Sequence, residues 1–110
     1  MADQRLKQIK IKTGVVKRLA KEKVYYEKEV GKEEERYEKL KREGGDDHVL
    51  RKQTEVINES KVMIPDTRNR LVKASEDLRN VLDTESDLNE ANEYKEALKV
   101  LEEADSVLAA

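Results

Sequence analysis

The single histidine of the sequence is the first candidate for chemistry. His48 directly follows Asp46 and Asp47, and a histidine beside two carboxylates could bind a metal ion or exchange protons with a substrate. A stable metal site usually needs three or four protein ligands, and the sequence has no other histidine and no cysteine. The alternative is a solvated polar residue near a helix N-terminus. We therefore expect no metal site.

Runs of carboxylates and a glycine pair could also carry chemistry. Residues 33–35 (EEE) and 102–103 (EE) are consecutive, and consecutive residues on a helix point in different directions, so they cannot act as a pair on one substrate. Gly44 and Gly45 lack the longer glycine pattern and the following lysine of a phosphate-binding loop. We expect no catalytic residue and no cofactor, and an enzyme is the least expected class.

Charge is distributed unevenly along the chain. Residues 1–24 contain eight basic and two acidic side chains, whereas residues 76–110 contain three basic and eleven acidic ones. One interpretation is that the acidic segment lies beside the basic one and neutralises it within the fold. The other is that the basic segment binds an acidic protein partner, where charge raises the association rate and selects orientation.

The candidate partner-binding residues lie in this basic segment and directly after it. They are Lys10, Lys12, Gly14, Lys17, Arg18, Lys21 and Tyr25. Tyr25 lies outside the main apolar stripe, so either a widened core buries it or it offers apolar area and a polar tip to an interface. A glycine such as Gly14 inside a helix costs about 0.5–1 kcal/mol relative to alanine, so either a neighbouring helix or a partner's backbone should lie close to it.

Helices must position these residues. Apolar residues recur in steps of three and four before Gly44 and Gly45, which suit a helix end, and Asp46 and Asp47 can cap the next helix. The second helix carries an apolar residue every seventh position, at Leu50, Ile57, Ile64, Leu71 and Leu78. Its pattern continues in phase past Pro65, which predicts a kink and not a reversal.

The expected fold is all-α. Residues 1–110 should form one domain with helices at about 3–43, 47–82 and 86–107, the third capped by Thr84 or Ser86. Short connections favour antiparallel neighbours, which predicts an elongated up-down-up three-helix bundle with left-handed, coiled-coil-like packing. No segment alternates with the period of a strand.

Composition limits the expected cellular location and the expected classes of partner. A net charge of −2 argues against nucleic acid or a membrane surface as the main partner. The absence of cysteine suits a reducing compartment. Residues 1–12 carry regularly spaced charges, and no apolar run is long enough to cross a bilayer, so we expect neither a secreted nor an integral membrane protein but a cytosolic one.

Two other helical classes share these features. A spectrin-like repeat also folds about 106 residues into three long helices, although such repeats usually carry a tryptophan that this sequence lacks. A self-associating coiled-coil scaffold could use the seven-residue row of the second helix to pair chains. Light scattering would separate these classes.

Several segments resemble one known family. Residues 8–19 (QIKIKTGVVKRL), 21–24 (KEKV) and 26–29 (YEKE) are similar to the tubulin-specific chaperone A family, also called tubulin-folding cofactor A. The resemblance continues at residues 59–60 (ES), 63–66 (MIPD), 87–88 (DL) and 93–97 (EYKEA), and so spans nearly the whole chain. Residues 8–19 are the most specific part, whereas residues 32–47 diverge.

The resemblance implies a three-helix bundle that captures and stabilises quasi-native β-tubulin in the post-chaperonin part of tubulin folding. It implies no nucleotide hydrolysis, a cytoplasmic and cytoskeleton-associated location, and contact with other tubulin-folding cofactors. Monomers and homodimers both occur among such proteins, so the resemblance leaves the oligomeric state open.

Overall fold

A computed structural model describes residues 3–110 of the chain. It contains α1 (Gln4–Arg42), α2 (Asp47–Thr84), a short 3₁₀ helix (Ser86–Leu88) and α3 (Asn92–Ala109). Within residues 3–110 there is no strand. The expected all-α, three-helix architecture is confirmed, and α1 and α2 lie within two residues of their expected bounds.

The turn between α1 and α2 follows from its glycines and aspartates. Gly44 adopts a φ of 80°, and the amides of Gly44 and Gly45 donate to the carbonyls of Lys41 and Leu40 at 3.2 and 2.8 Å. This pair of bonds is the Schellman motif that closes helices. Asp46 then caps α2, because its Oδ1 accepts a hydrogen bond from the Val49 amide at 2.9 Å.

The connection into α3 differs from the expectation. We predicted a helix from residue 86 capped by Thr84 or Ser86, but α3 begins six residues later, at Asn92. Thr84 Oγ1 donates instead to the Asn80 carbonyl within α2, and Ser86 opens the 3₁₀ helix. The N-cap of α3 is Ala91, which has no side-chain oxygen to mark the start in the sequence.

Proline does not interrupt α2. The helix runs continuously across Pro65, as expected for a kink and not for a chain reversal. The seven-residue row of α2 faces the interior, with Leu71 and Leu78 fully buried and Ile57 nearly so. The size of the bend at Pro65 and the hand of the bundle stay predictions.

Ion pairs and hydrogen bonds between the helices show the relative directions in which they run. Lys12 lies beside Asp77, and the Ser60 Oγ donates to Glu33, so α1 and α2 are antiparallel. Arg5 binds Glu85 and Asp87 at one end of α3, and Lys23 reaches the Val107 carbonyl at its other end. The chain therefore runs up, down and up, in a rod of 65 × 24 × 16 Å.

The core occupies one half of this rod. Its buried residues come from the first half of α1, the second half of α2 and all of α3, where α3 packs more against α1 than against α2. Beyond the end of α3, α1 and α2 continue alone as a two-helix arm, formed by residues 31–42 and 47–61. No helix among the described residues is long and apolar enough to cross a membrane.

Candidate functional site

Six of the seven candidate residues lie on the solvent side of α1. Lys10, Gly14, Lys17, Arg18, Lys21 and Tyr25 are all exposed, and we call this set the basic face. Gly14, Arg18, Lys21 and Tyr25 follow one another in steps of four, three and four residues, which places them along one line of the helix. The buried residues of α1, such as Ile9 and Val16, lie on the other side.

Lys12 is the candidate that the structure places elsewhere. Its Nζ lies 2.6 Å from Asp77 Oδ2, so the side chain bridges α1 to α2 and is only partly exposed. An exposed pair of this kind contributes roughly 0–1 kcal/mol to stability. Lys12 therefore faces a neighbouring helix and not the direction of the basic face.

The acidic α3 lies beside α1 but does not pair with the basic face. Within residues 3–110, no salt bridge joins a side chain of α1 to one of α3. Lys10 shares a cleft of about 230 Å³ with Glu93 and Glu96 without forming a salt bridge. Lys17 and Lys21 have no carboxylate within 4.0 Å among the described residues. Direct pairing with residues 76–110 therefore neutralises Arg5 and Lys12 but leaves Lys17 and Lys21 without a carboxylate partner among the described residues.

Gly14 lies in open space. A Cβ added there would have no atom of another helix or side chain within 4 Å. The same atom added at Gly45 would lie 2.9 Å from the Leu40 carbonyl oxygen. The crowding at Gly45 thus comes from the last turn of α1, whereas no neighbouring helix lies close to Gly14, so close helix packing does not explain Gly14.

Tyr25 projects from the fold and does not widen the core. Its side chain is 56% exposed, and its ring makes an edge-on contact with Tyr26 at a centroid distance of 5.5 Å. Of the other apolar residues off the main stripe, Val15 packs against the core, whereas Ile11 is half exposed. The widened-stripe interpretation is correct for Val15 and wrong for Tyr25.

The residues considered for catalysis do not assemble into a site. His48 is exposed in the first turn of α2, and Asp46 is occupied as the helix cap. Among residues 3–110, no three side chains of histidine, cysteine, aspartate or glutamate are grouped so that they could hold a metal ion.

Sequence reasoning missed two lysines. Lys7 is exposed and lies seven residues before Gly14, so its spacing alone could have added it to the basic face. Lys23 is 3% exposed, pairs with Glu27 and donates to the Val107 carbonyl at 3.2 Å, a contact with the end of α3 that the sequence analysis did not assign. Glu27 four residues later was the available signal.

Comparison with known proteins places this geometry in a family. The family described as Tubulin binding cofactor A matches residues 4–101. The chain is 58% identical to a protein of Rattus norvegicus named Tubulin-specific chaperone A over 93% of this chain and 94% of that protein. It is 59% identical to a Gallus gallus protein of the same name, with the same coverage.

A solved structure gives the same assignment for the fold. The structure titled human tubulin chaperone cofactor a superposes with a TM-score of 0.77 at 53% identity, covering 94% of this chain and 97% of that one. The relatives are named as chaperones and folding cofactors, which are binding proteins without catalytic activity. By its sequence over 98 of 110 residues and by its three-helix fold, the chain belongs to the tubulin binding cofactor A family.

Proposed function

We propose that this protein is a tubulin-folding cofactor that captures quasi-native β-tubulin after its release from a chaperonin and holds it until it joins α-tubulin. The protein acts in the cytoplasm, associated with the cytoskeleton, as a monomer or homodimer. Other tubulin-folding cofactors are further partners. Membership of the family supports the tubulin partner, and the basic face of α1 supports the mode of binding.

The observation that carries the proposal is the set of unpaired cations on an exposed helix. Lys17 and Lys21 project from α1 within about one turn of each other, and neither has a carboxylate partner among the described residues. Unpaired surface charges of one sign attract an oppositely charged surface before contact and orient it. An acidic surface of β-tubulin is the partner that this face fits.

Two other residues suit the same face to a protein surface. Tyr25 is half exposed and its ring is supported by Tyr26, so it can enter an interface without reorganising. Gly14 leaves the helix backbone uncovered, which permits close approach of a partner's main chain. The cations thus set the approach, while Gly14 and Tyr25 provide contact.

Charge reversal on the basic face tests the proposal. Binding of purified β-tubulin to the immobilised protein should be about tenfold slower for Lys17→Glu than for the unchanged protein at low salt, and the difference should shrink as salt is added. Lys73 on α2 is an exposed lysine away from this face, so Lys73→Glu is the matched control for net charge. Equal effects of the two substitutions would exclude the basic face as the site.

A further inference from the structure

The third helix ends partway along the rod at a fixed level. Lys23 of α1 donates to the Val107 carbonyl at 3.2 Å, and Arg68 of α2 donates to the Leu108 carbonyl at 2.7 Å. The last carbonyls of a helix have no partner within it and are stabilised by cations. Two cations from two helices therefore bind the last carbonyls of α3, and α1 and α2 extend past this level.

The surface that α3 covers continues beyond its end. Lys61 and Thr54 lie seven and fourteen residues before Arg68, so they occupy the same side of α2. Glu34 lies eleven residues, about three turns, after Lys23 on the same side of α1. The Glu34–Lys61 pair, at 3.3 Å and about half exposed, joins the two helices there. We call this groove, between residues 31–42 and 54–61, the third-helix track.

The third-helix track is large enough for a helix. A cleft of about 1480 Å³ lies along it, with Tyr37, Leu40 and the buried Ile57 among its lining residues. Pockets for small molecules usually measure about 300–1,000 Å³ and enclose their ligand, so this open cleft suits a protein segment better. Residues 31–42 extend about 18 Å, the length of a helix of about twelve residues.

Besides its size, the track has a bare helix position at Gly31 that suits it to bind a helix. It is exposed within α1, lines the cleft, and an added Cβ would have no atom within 4 Å. A glycine in a helix interior is destabilising by about 0.5–1 kcal/mol relative to alanine, and no close contact among the described residues requires a glycine here. The missing side chain leaves room for another helix to approach α1 as closely as α3 does elsewhere.

We propose that the third-helix track binds an amphipathic helix of the captured β-tubulin and so completes the three-helix bundle at this end of the rod. The inference rests on the proposed function and adds a second contact to it. Side chains of both signs border the groove, as the Glu34–Lys61 pair shows, so it suits a helix of mixed charge. The track continues the surface that already holds α3, and its occupant presents an apolar stripe to the partly exposed Tyr37 and Leu40.

Two substitutions of one glycine test the inference. Gly31→Gln places a long side chain in the track, whereas Gly31→Ala adds only a methyl group, and the Cβ that both share has no atom within 4 Å. Both replace glycine by a better helix former, so both variants should melt at or above the temperature of the unchanged protein. Binding of β-tubulin should weaken about tenfold for Gly31→Gln and less than twofold for Gly31→Ala.

A substitution at a second position of the track, together with a variant of the basic face, distinguishes failure of this inference from failure of the proposed function. Asn58→Arg, on the opposite wall of the track, should weaken binding as Gly31→Gln does. If the unchanged protein binds β-tubulin and both track variants bind it as tightly as the unchanged protein does, the proposed role of the track is wrong while the proposed function stands. If the unchanged protein does not bind β-tubulin, the proposed function fails and the inference fails with it. The Lys17→Glu variant reports on the basic face independently.

Discussion

Substituting alanine for Gly14 separates the stability of the bundle from its binding. Gly14 lies in the interior of α1, exposed, with open space where a Cβ would be placed. Alanine loses less backbone entropy on folding than glycine and is more stable in a helix by about 0.5–1 kcal/mol. Since nothing clashes, we expect the free energy of unfolding to rise by about that amount. For a chain of this size the midpoint of thermal unfolding should rise by roughly 2–6 °C.

The same substitution at two other glycines should have the opposite sign. Gly44 has a φ of 80°, where an L-residue is strained by about 1–2 kcal/mol. At Gly45 the new Cβ would lie 2.9 Å from the Leu40 carbonyl oxygen, and crowding of this kind costs about 1–3 kcal/mol. Urea unfolding followed by helical circular dichroism would compare all three variants with the unchanged protein under identical conditions.

Binding completes the test of Gly14. If a partner's backbone lies over this glycine, Gly14→Ala should bind β-tubulin more weakly even though its fold is more stable. A more stable variant that captures β-tubulin normally would remove Gly14 from the interface. A variant that is less stable than the unchanged protein would refute the physical reasoning itself, because it would mean that the site is not open in the folded chain.

Other substitutions test the interior and the end of the rod. Lys23→Ala should lower the free energy of unfolding by about 1–3 kcal/mol in urea, because it uncaps α3 and empties a buried site. Leu78→Ala should cost about 2–5 kcal/mol in the same assay, whereas Leu98→Ala, at a side chain 51% exposed, should change stability by less than about 0.5 kcal/mol. The hydrogen bond from the Arg5 guanidinium lowers the pKa of Asp3, so this carboxyl stabilises the fold above its usual pKa of 3.8. That contribution is lost as the pH falls through the lower, folded-state pKa, and Arg5→Ala should flatten the fall in stability seen by calorimetry between about pH 5 and pH 2.

The sequence was informative wherever a single residue type has one structural use. Gly44 and Asp46 marked the end of α1 and the start of α2, because a left-handed turn and a side-chain cap each require particular residues. The start of α3 was missed because Ala91 occupies the cap position without a capping side chain. The tertiary contacts of Arg5 hold this connection, and they join residues about eighty positions apart in the chain.

The candidate site was predictable as a set of residues but not as a surface. The spacing of Arg18, Lys21 and Tyr25 is compatible with a shared helix face, whereas the sequence could not show that Lys12 turns toward Asp77. The open space beside Gly14 also depends on where α3 lies, and that is set by packing between helices. The two-helix arm follows from the unequal lengths of the three helices, but the cleft along it required the fold.

Size-exclusion chromatography with multi-angle light scattering, on the protein alone and mixed with β-tubulin or α-tubulin released from the heterodimer, tests the central claim most directly. The account predicts a discrete one-to-one complex with β-tubulin and none with α-tubulin. If no complex forms and the protein itself elutes as a defined oligomer, the chain is a helical scaffold, and capture of β-tubulin is not its function.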